Sequence, residues 1–365
     1  MTYCFAWKYQ DAVFLIADTL VTQSFPADRH MTSTGEIQRQ VCRSEFVHER
    51  LLKVREIKAG TAVAFAGDVQ LAIAITDFIQ ENIGNVTVPA DVCRMVEASF
   101  GPFVTGRDVE ILLIDAAGDG RCLIAKWDTN DGYREEAQCA HIGSLASDQA
   151  HRIEELFRRL MADKSPSKVA MLLAGLAFVI SLSRHEDLIR QYVGGMVCGL
   201  WVQRAKTNWQ DDLVIVFHKS GSIDGRVSMH VREGIVYINS TYHGTEGTVL
   251  IGERQGIRAD ELVRIWRERH FSYLKDYLGV HFTTCTRWLF IDLDRQVPLV
   301  FVVHGRLEQA KANLRIERAE EGYRVIMDSD LASTLRRDAP SAGPELRIVE
   351  AANLEESVPD GMYRS

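Results

Sequence analysis

The sequence predicts an α+β protein in which antiparallel sheets are faced by helices. Three observations carry this. The predicted elements run strands, helices, strands, helices, strands along the chain. Turn signals at Tyr9-Gln10-Asp11, Lys58-Ala59-Gly60 and Ala116-Ala117-Gly118-Asp119-Gly120 join neighbouring strands as hairpins. The helical stretches carry their apolar residues at three- and four-residue spacing, which strands do not.

Residues Tyr3–Ala17 read as a strand, a turn at which Asp11 is a turn residue, and a second strand. Gln23–Arg50 is polar, contains Pro26, His30, Gly35 and His48, and reads as a long, partly mobile loop. Leu51–Ile57 and Thr61–Phe65 form the next hairpin. Asp68 is placed to cap a helix reaching about Glu81, with Leu71, Ile73, Ala74, Phe78 and Ile79 on its apolar side. Ala90–Phe100 reads as a short second helix. Val109–Asp115, Cys122–Asp128 and Glu136–His141 read as a three-stranded meander. Helices over Ala146–Ala162 and Ser167–Arg184 and strands over Gly194–Val202 and Asp212–His218 follow.

The last third differs. Arg258–Tyr277 reads as a helix, with Leu262, Ile265, Trp266, Tyr273 and Leu274 at helical spacing. Trp288–Asp292 and Leu299–Val303 read as strands. From Asp338 onward the chain is acidic, contains Pro340, Gly343 and Pro344, and reads as a loosely ordered tail. There is no internal repeat. The expected organisation is a main domain over 1–220, an α/β extension of unassigned role over 221–337, and the tail over 338–365.

The composition of the 365 residues, 46% hydrophobic and 25% charged, is that of a globular protein with ample core. A net charge of −8 argues against nucleic acid as a partner. No apolar stretch approaches the ~18–20 residues of a membrane span; Val169–Ile180 and Val297–Val303 read as a buried helix and a buried strand. The N-terminus lacks the basic and apolar regions of a secretion signal. Seven dispersed cysteines (Cys4, Cys42, Cys93, Cys122, Cys139, Cys198, Cys285) show no CxxC pair, and read as reduced thiols of a cytoplasmic protein. The histidines, among them His141, His243, His270, His281 and His304, show no patterned spacing, so no metal and no cofactor is expected.

The chemistry-bearing pattern is at the start of the chain. Removal of Met1 would make Thr2 the terminal residue, with a hydroxyl nucleophile and an α-amine base on one residue. An unperturbed α-amine titrates near ~7.7–8.0, close to working pH. Asp18 ends an apolar run, Thr22 follows, Lys53 opens the next strand region, and Ala66-Gly67 closes it.

With these residues in place, the first ~200 positions resemble the catalytic β-type subunits of proteasomes and their bacterial relatives, which are N-terminal nucleophile hydrolases. The resemblance rests on four segments in order: TYCFAWKYQDAVFLIAD, KVREIKAGTAVAFAGD, AHIGSLA and QYVGGMVCGLWV. It implies a four-layer αββα sandwich of two antiparallel sheets between helix layers. It also implies a role for each matching residue. Thr2 is the nucleophile. Lys53 places a cation beside its hydroxyl, Asp18 fixes Lys53, and the Gly67 N–H forms the oxyanion hole. Ser144 bonds the amine. Thr22 pairs with an extended peptide as an added strand, and Phe65 lines a shallow pocket for the residue before the scissile bond.

Two positions depart from the family pattern. An Asp and a Ser usually precede the Gly-Gly pair; here Arg190 and Val193 stand there, and Asp187, one helical turn from Arg190, is the candidate substitute. Asp18 and Lys53 also fit a plain structural ion pair, and Gly143-Ser144 a strand-to-helix turn with Ser144 as cap. The expected function is a threonine-type peptidase acting on peptide or unfolded protein. The resemblance implies a homo-oligomeric ring, with an unfoldase or activator as an open question and neither nucleic acid nor membrane as partner. The alternatives are an amidase of small amides with the same machinery, and a non-catalytic assembly or interaction subunit.

Overall fold

The computed structural model describes residues 2–23, 31–36, 40–42, 45–86, 89–103, 106–116, 120–163, 166–220, 222–232, 235–242, 245–252, 287–294, 298–302, 314–319, 322–327 and 347–350. The expected helix over Arg258–Tyr277 and the turn over 117–119 lie outside them. The architecture is mixed α+β, with four α-helices and several sheets among the described residues.

In chain order, β1 (Tyr3–Tyr9) and β2 (Ala12–Asp18) make the predicted hairpin. A three-stranded sheet of β3 (Leu20–Gln23), β4 (Gln40–Cys42) and β5 (Glu45–Glu49) follows, in order β3-β5-β4. β6 (Val54–Lys58) and β7 (Thr61–Gly67) are the second hairpin. Then come α1 (Val69–Asn82) and α2 (Pro89–Phe100). β8 (Val109–Ala116), β9 (Cys122–Asp128), β10 (Gly132–Glu135) and β11 (Cys139–Gly143) lead into α3 (Ser147–Asp163) and α4 (Lys168–Glu186). β12 (Val197–Gln203) and β13 (Lys206–Trp209) complete this part. Two caps fall where their side-chain chemistry predicts: Asp68 accepts from the Leu71 N–H at 3.1 Å, and Ser167 from the Ala170 N–H at 3.2 Å.

Two antiparallel five-stranded sheets result, ordered β11-β1-β2-β12-β13 and β10-β9-β8-β7-β6. Side-chain size sorts their faces. On β1, β2 and β7 the smaller residues Cys4, Ala6, Ala17, Ala62, Ala64 and Ala66 share one cluster between the two sheets. On the opposite faces, Tyr3, Phe5, Trp7, Phe14 and Ile16 meet α3 and α4, while Val63 and Phe65 meet α1 and α2. Strict alternation along a strand allows this division, and small residues let two sheets approach closely.

The seven-stranded sheet comprises β14 (Leu213–Lys219), β15 (Ser222–Arg232), β16 (Ile235–Tyr242), β17 (Thr245–Gly252), β18 (Arg287–Asp292), β19 (Leu299–Val302) and β22 (Arg347–Glu350). Its order is β17-β16-β15-β14-β18-β19-β22, with β14/β18 and β19/β22 parallel. A separate hairpin joins β20 (Leu314–Ala319) and β21 (Gly322–Met327). Because α4 also packs against β18 and β19, it is covered on two sides, and Ala170 through Ser183 are all buried. By length and composition alone α4 is apolar enough to cross a membrane, contrary to the sequence expectation, yet 78% of that stretch is buried in the protein.

Three expectations are corrected. The supposed loop Gln23–Arg50 contains β5, paired to β3, and a buried turn at Thr32–Glu36. The expected strand Glu136–His141 is displaced: β10 pairs with β9 before it begins, and β11, which starts only at Cys139, crosses to the other sheet and pairs with β1. The strand beginning at Leu213 belongs to the seven-stranded sheet, so that sheet starts before residue 220, and β22 falls inside the expected tail. Tyr242, on β16, hydrogen-bonds the Thr34 carbonyl at 2.7 Å, which fastens the added sheet onto the buried turn.

Candidate active site

Four of the predicted residues stand at strand ends. Thr2 precedes β1 and is 3% exposed. Asp18 ends β2, Lys53 precedes β6, and Gly67 ends β7. Asp18 is the junction. Its Oδ1 takes Lys53 Nζ at 2.7 Å and the Tyr3 N–H at 3.2 Å, and its Oδ2 takes the Gly194 N–H at 3.1 Å. Lys53 Nζ also donates to the Leu20 carbonyl. Both side chains of the pair are inaccessible. Burial raises the Asp18 pKa, and the charge and hydrogen bond of Lys53 oppose that rise.

Gly143-Ser144 lies beneath the chain start, since the Ser144 N–H donates to the Thr2 carbonyl at 2.7 Å. Gly143 has φ +100°, and a Cβ there would overlap that carbonyl oxygen. Gly67 has φ +91°, and a Cβ there would overlap the Asp108 carbonyl, so glycine is required at 67 by backbone packing alone. Cys4 sits in the inter-sheet core with its thiol donating to the Phe65 carbonyl at 3.4 Å. Burial raises its pKa strongly, although Lys53 pulls the other way. The thiol is therefore neutral and inaccessible.

Thr22 lies in β3 opposite Val47, in the three-stranded sheet and not in the sheet that carries Asp18. Phe65 is 1% exposed within the cluster under α1 and α2. Asp187 is corrected as the substitute carboxylate. It is the left-handed C-cap of α4 and pairs with Arg190 at 2.6 Å on the surface.

Two buried carboxylates, Glu36 and Glu49, were missed in the sequence. Three successive amides each donate to a different buried carboxylate: Gly194 to Asp18, Gly195 to Glu36 at 2.7 Å, and Met196 to Glu49 at 2.6 Å. Glu36 is also bonded by Thr32 Oγ1 at 3.1 Å, Thr34 Oγ1 at 2.9 Å and Ser183 Oγ. Glu49 accepts from the Ser33 N–H at 2.8 Å and lies 3.4 Å from Thr19 Oγ1. Burial raises the Glu49 pKa, and its donors oppose the rise. The signal in the sequence was Thr32-Ser33-Thr34-Gly35-Glu36, a run of hydroxyls and a glycine ahead of a carboxylate, which reads as a hydrogen-bonded turn.

On the opposite face of β1 lies a second group of donors. Tyr3 Oη is 2.7 Å from His141 Nδ1, and His141 Nε2 is 2.9 Å from Glu154 Oε1, with Cys139 alongside.

No family model matches the chain, and no curated protein matches it. Among solved structures it is similar to eukaryotic HslV from Trypanosoma brucei. That alignment has 12% identity and a TM-score of 0.39, and covers 55% of this chain and 99% of that one. A likeness of that size carries no argument about this chain's chemistry.

Proposed function

We propose that this chain is a threonine peptidase of the N-terminal nucleophile class, active once Met1 has been removed. The observation that carries the reading is Asp18. One buried carboxylate binds the Lys53 ammonium, the Tyr3 amide next to the chain start and the Gly194 amide. A cation fixed at that point favours an alkoxide at residue 2. Two five-stranded sheets packed on small residues, with a helix pair against each outer face, support the four-layer sandwich as the finer description.

In the proposed reaction, Thr2 Oγ1 attacks the peptide carbonyl and its proton passes to the α-amine. The Gly67 N–H stabilises the oxyanion. The α-ammonium then protonates the leaving amine, giving an ester acyl-enzyme. Water, deprotonated by the same amine, attacks the ester and frees the product. The family resemblance puts such a site inside a ring of identical subunits.

The burial of Thr2 supports a second reading, a subunit that keeps the fold without the chemistry. Intact mass spectrometry of the native protein, with and without a peptide epoxyketone, separates the two. The peptidase requires a chain lacking Met1 and a single adduct at Thr2 that vanishes in Thr2→Ala. A chain that keeps Met1 and takes no adduct refutes it. Turnover of peptides against small amides then distinguishes protease from amidase.

A further inference from the structure

We propose that Cys139, His141 and Glu154 form a zinc site with an open fourth position. Cys139 and His141 are two residues apart on β11, so both side chains leave the same face of the strand. Glu154, from α3, faces them. The ligand atoms of the three residues lie within 4.8 Å of one another, and all three residues are half-buried, leaving an approach from solvent. The cysteines were expected to have neither CxxC spacing nor a nearby histidine, and the Cys139-x-His141 pair corrects the second expectation.

Three features prepare the site. Tyr3 Oη holds His141 Nδ1 at 2.7 Å, which leaves Nε2 as the outward nitrogen. An outer-shell contact of this kind holds the orientation of a metal-bound histidine, and the hydroxyl can accept from the Nδ1–H that such binding requires. The imidazole stacks on Phe5, with ring centroids 4.4 Å apart at 15°, so its plane is set by the core. His141 Nε2 is shielded, and although Glu154 Oε1 is only 2.9 Å away, no aligned hydrogen bond satisfies it.

A thiolate, an imidazole and a carboxylate form a mixed donor set that suits Zn²⁺. Bonds of about 2.0–2.3 Å in a tetrahedron place donor atoms roughly 3.3–3.7 Å apart. The three donors reach that spacing by a small outward movement of Glu154, which is on the helix surface. Binding replaces the Cys139 thiol proton, released to solvent, with a Zn–S bond, and water completes the shell. The cations nearby are already engaged: Lys126 binds Glu110 at 2.7 Å, and Arg158 pairs with Glu155. The site lies across β1 from the Asp18 junction and does not depend on the peptidase reading.

The test uses the full-length chain, stripped with a chelator and titrated with ZnCl₂ against a chromophoric competitor, then loaded with Co²⁺. One zinc per chain is expected, with a thiolate-to-cobalt charge-transfer band. Cys139→Ser and His141→Gln should each weaken binding at least about tenfold, and Tyr3→Phe, which removes only the outer-shell contact, by roughly 10–100-fold. Glu154→Gln, on the helix surface, serves as the ligand variant least prone to misfold. Absence of stoichiometric binding overturns the proposal and leaves a Tyr3–His141–Glu154 hydrogen-bonded relay. Binding without the charge-transfer band, or unchanged in Cys139→Ser, also overturns it by placing the metal elsewhere.

Discussion

Glu36 gives the sharpest test of how the site is held. Its carboxylate accepts from one backbone amide, Gly195, and from the hydroxyls of Thr32, Thr34 and Ser183. In Glu36→Ala all four donors lose their acceptor in a buried space. The amide cannot turn elsewhere and costs about 2–3 kcal/mol as an unsatisfied donor to a former charge. The hydroxyls can rotate, so about 1 kcal/mol each is a fair allowance. The total is roughly 5–6 kcal/mol, a large part of a typical domain's stability. Glu36→Gln keeps the volume and one oxygen at the Oε2 position, where Gly195, Thr32 and Thr34 converge. Ser183 can reorient toward the Val193 carbonyl, 3.4 Å away. The glutamine should therefore cost no more than about 1–2 kcal/mol. Urea denaturation of both variants reads the difference. Alanine within about 1 kcal/mol of wild type, or glutamine as damaging as alanine, would refute the bracing role.

Three further outcomes follow from the geometry. Gly143→Ala drives a methyl into the Thr2 carbonyl, so the Ser144 amide should lose hydrogen-exchange protection and electrophile labelling of Thr2 should fall about 100-fold; unchanged protection would contradict the contact. Lys53→Met leaves Asp18 buried and unpaired and should cost about 3–5 kcal/mol, with Asp18→Asn in the same chain restoring part of it; strictly additive losses would deny the pairing. Asp11, bonded by Lys168 and Gln203, has its pKa lowered from 3.8 to about 2. Its stabilisation is thus complete above the unfolded value and disappears as pH falls through about 2. Because the group is one-third exposed, Asp11→Asn should cost no more than about 1 kcal/mol near neutrality. That difference should shrink on acidification in denaturant titrations, and a growing one would contradict the sign.

Much of the core around the site was legible because it is local. The Tyr3–Asp18 hairpin, the Lys58–Gly60 turn and the caps at Asp68 and Ser167 are each set by side chains within a few residues of one another. Asp18 and Lys53 were recognised as types, and their meeting was inferred from the family pattern. Glu36 and Glu49 were not legible. Their amide partners lie 159 and 147 residues away, and nothing near either carboxylate signals a contact at that range. The sheet change at β11 was hidden for another reason. Alternation shows that Cys139–Gly143 is extended, but not which neighbour it joins. Phe65 packs under α1 and α2, a placement fixed by which face of β7 the helices cover and not by the strand's own alternation.

The position of α4 has a consequence for how this protein can be divided. Among the described residues, its outer side is covered by strands that come after residue 212, and Tyr242 reaches back to clasp Thr34. A chain cut near residue 220 would bare an oily flank along a nineteen-residue helix and unfasten the turn that carries Glu36. The amino-terminal portion is thus no free-standing unit, and the later strands belong to the same cooperative body as the residues they shelter.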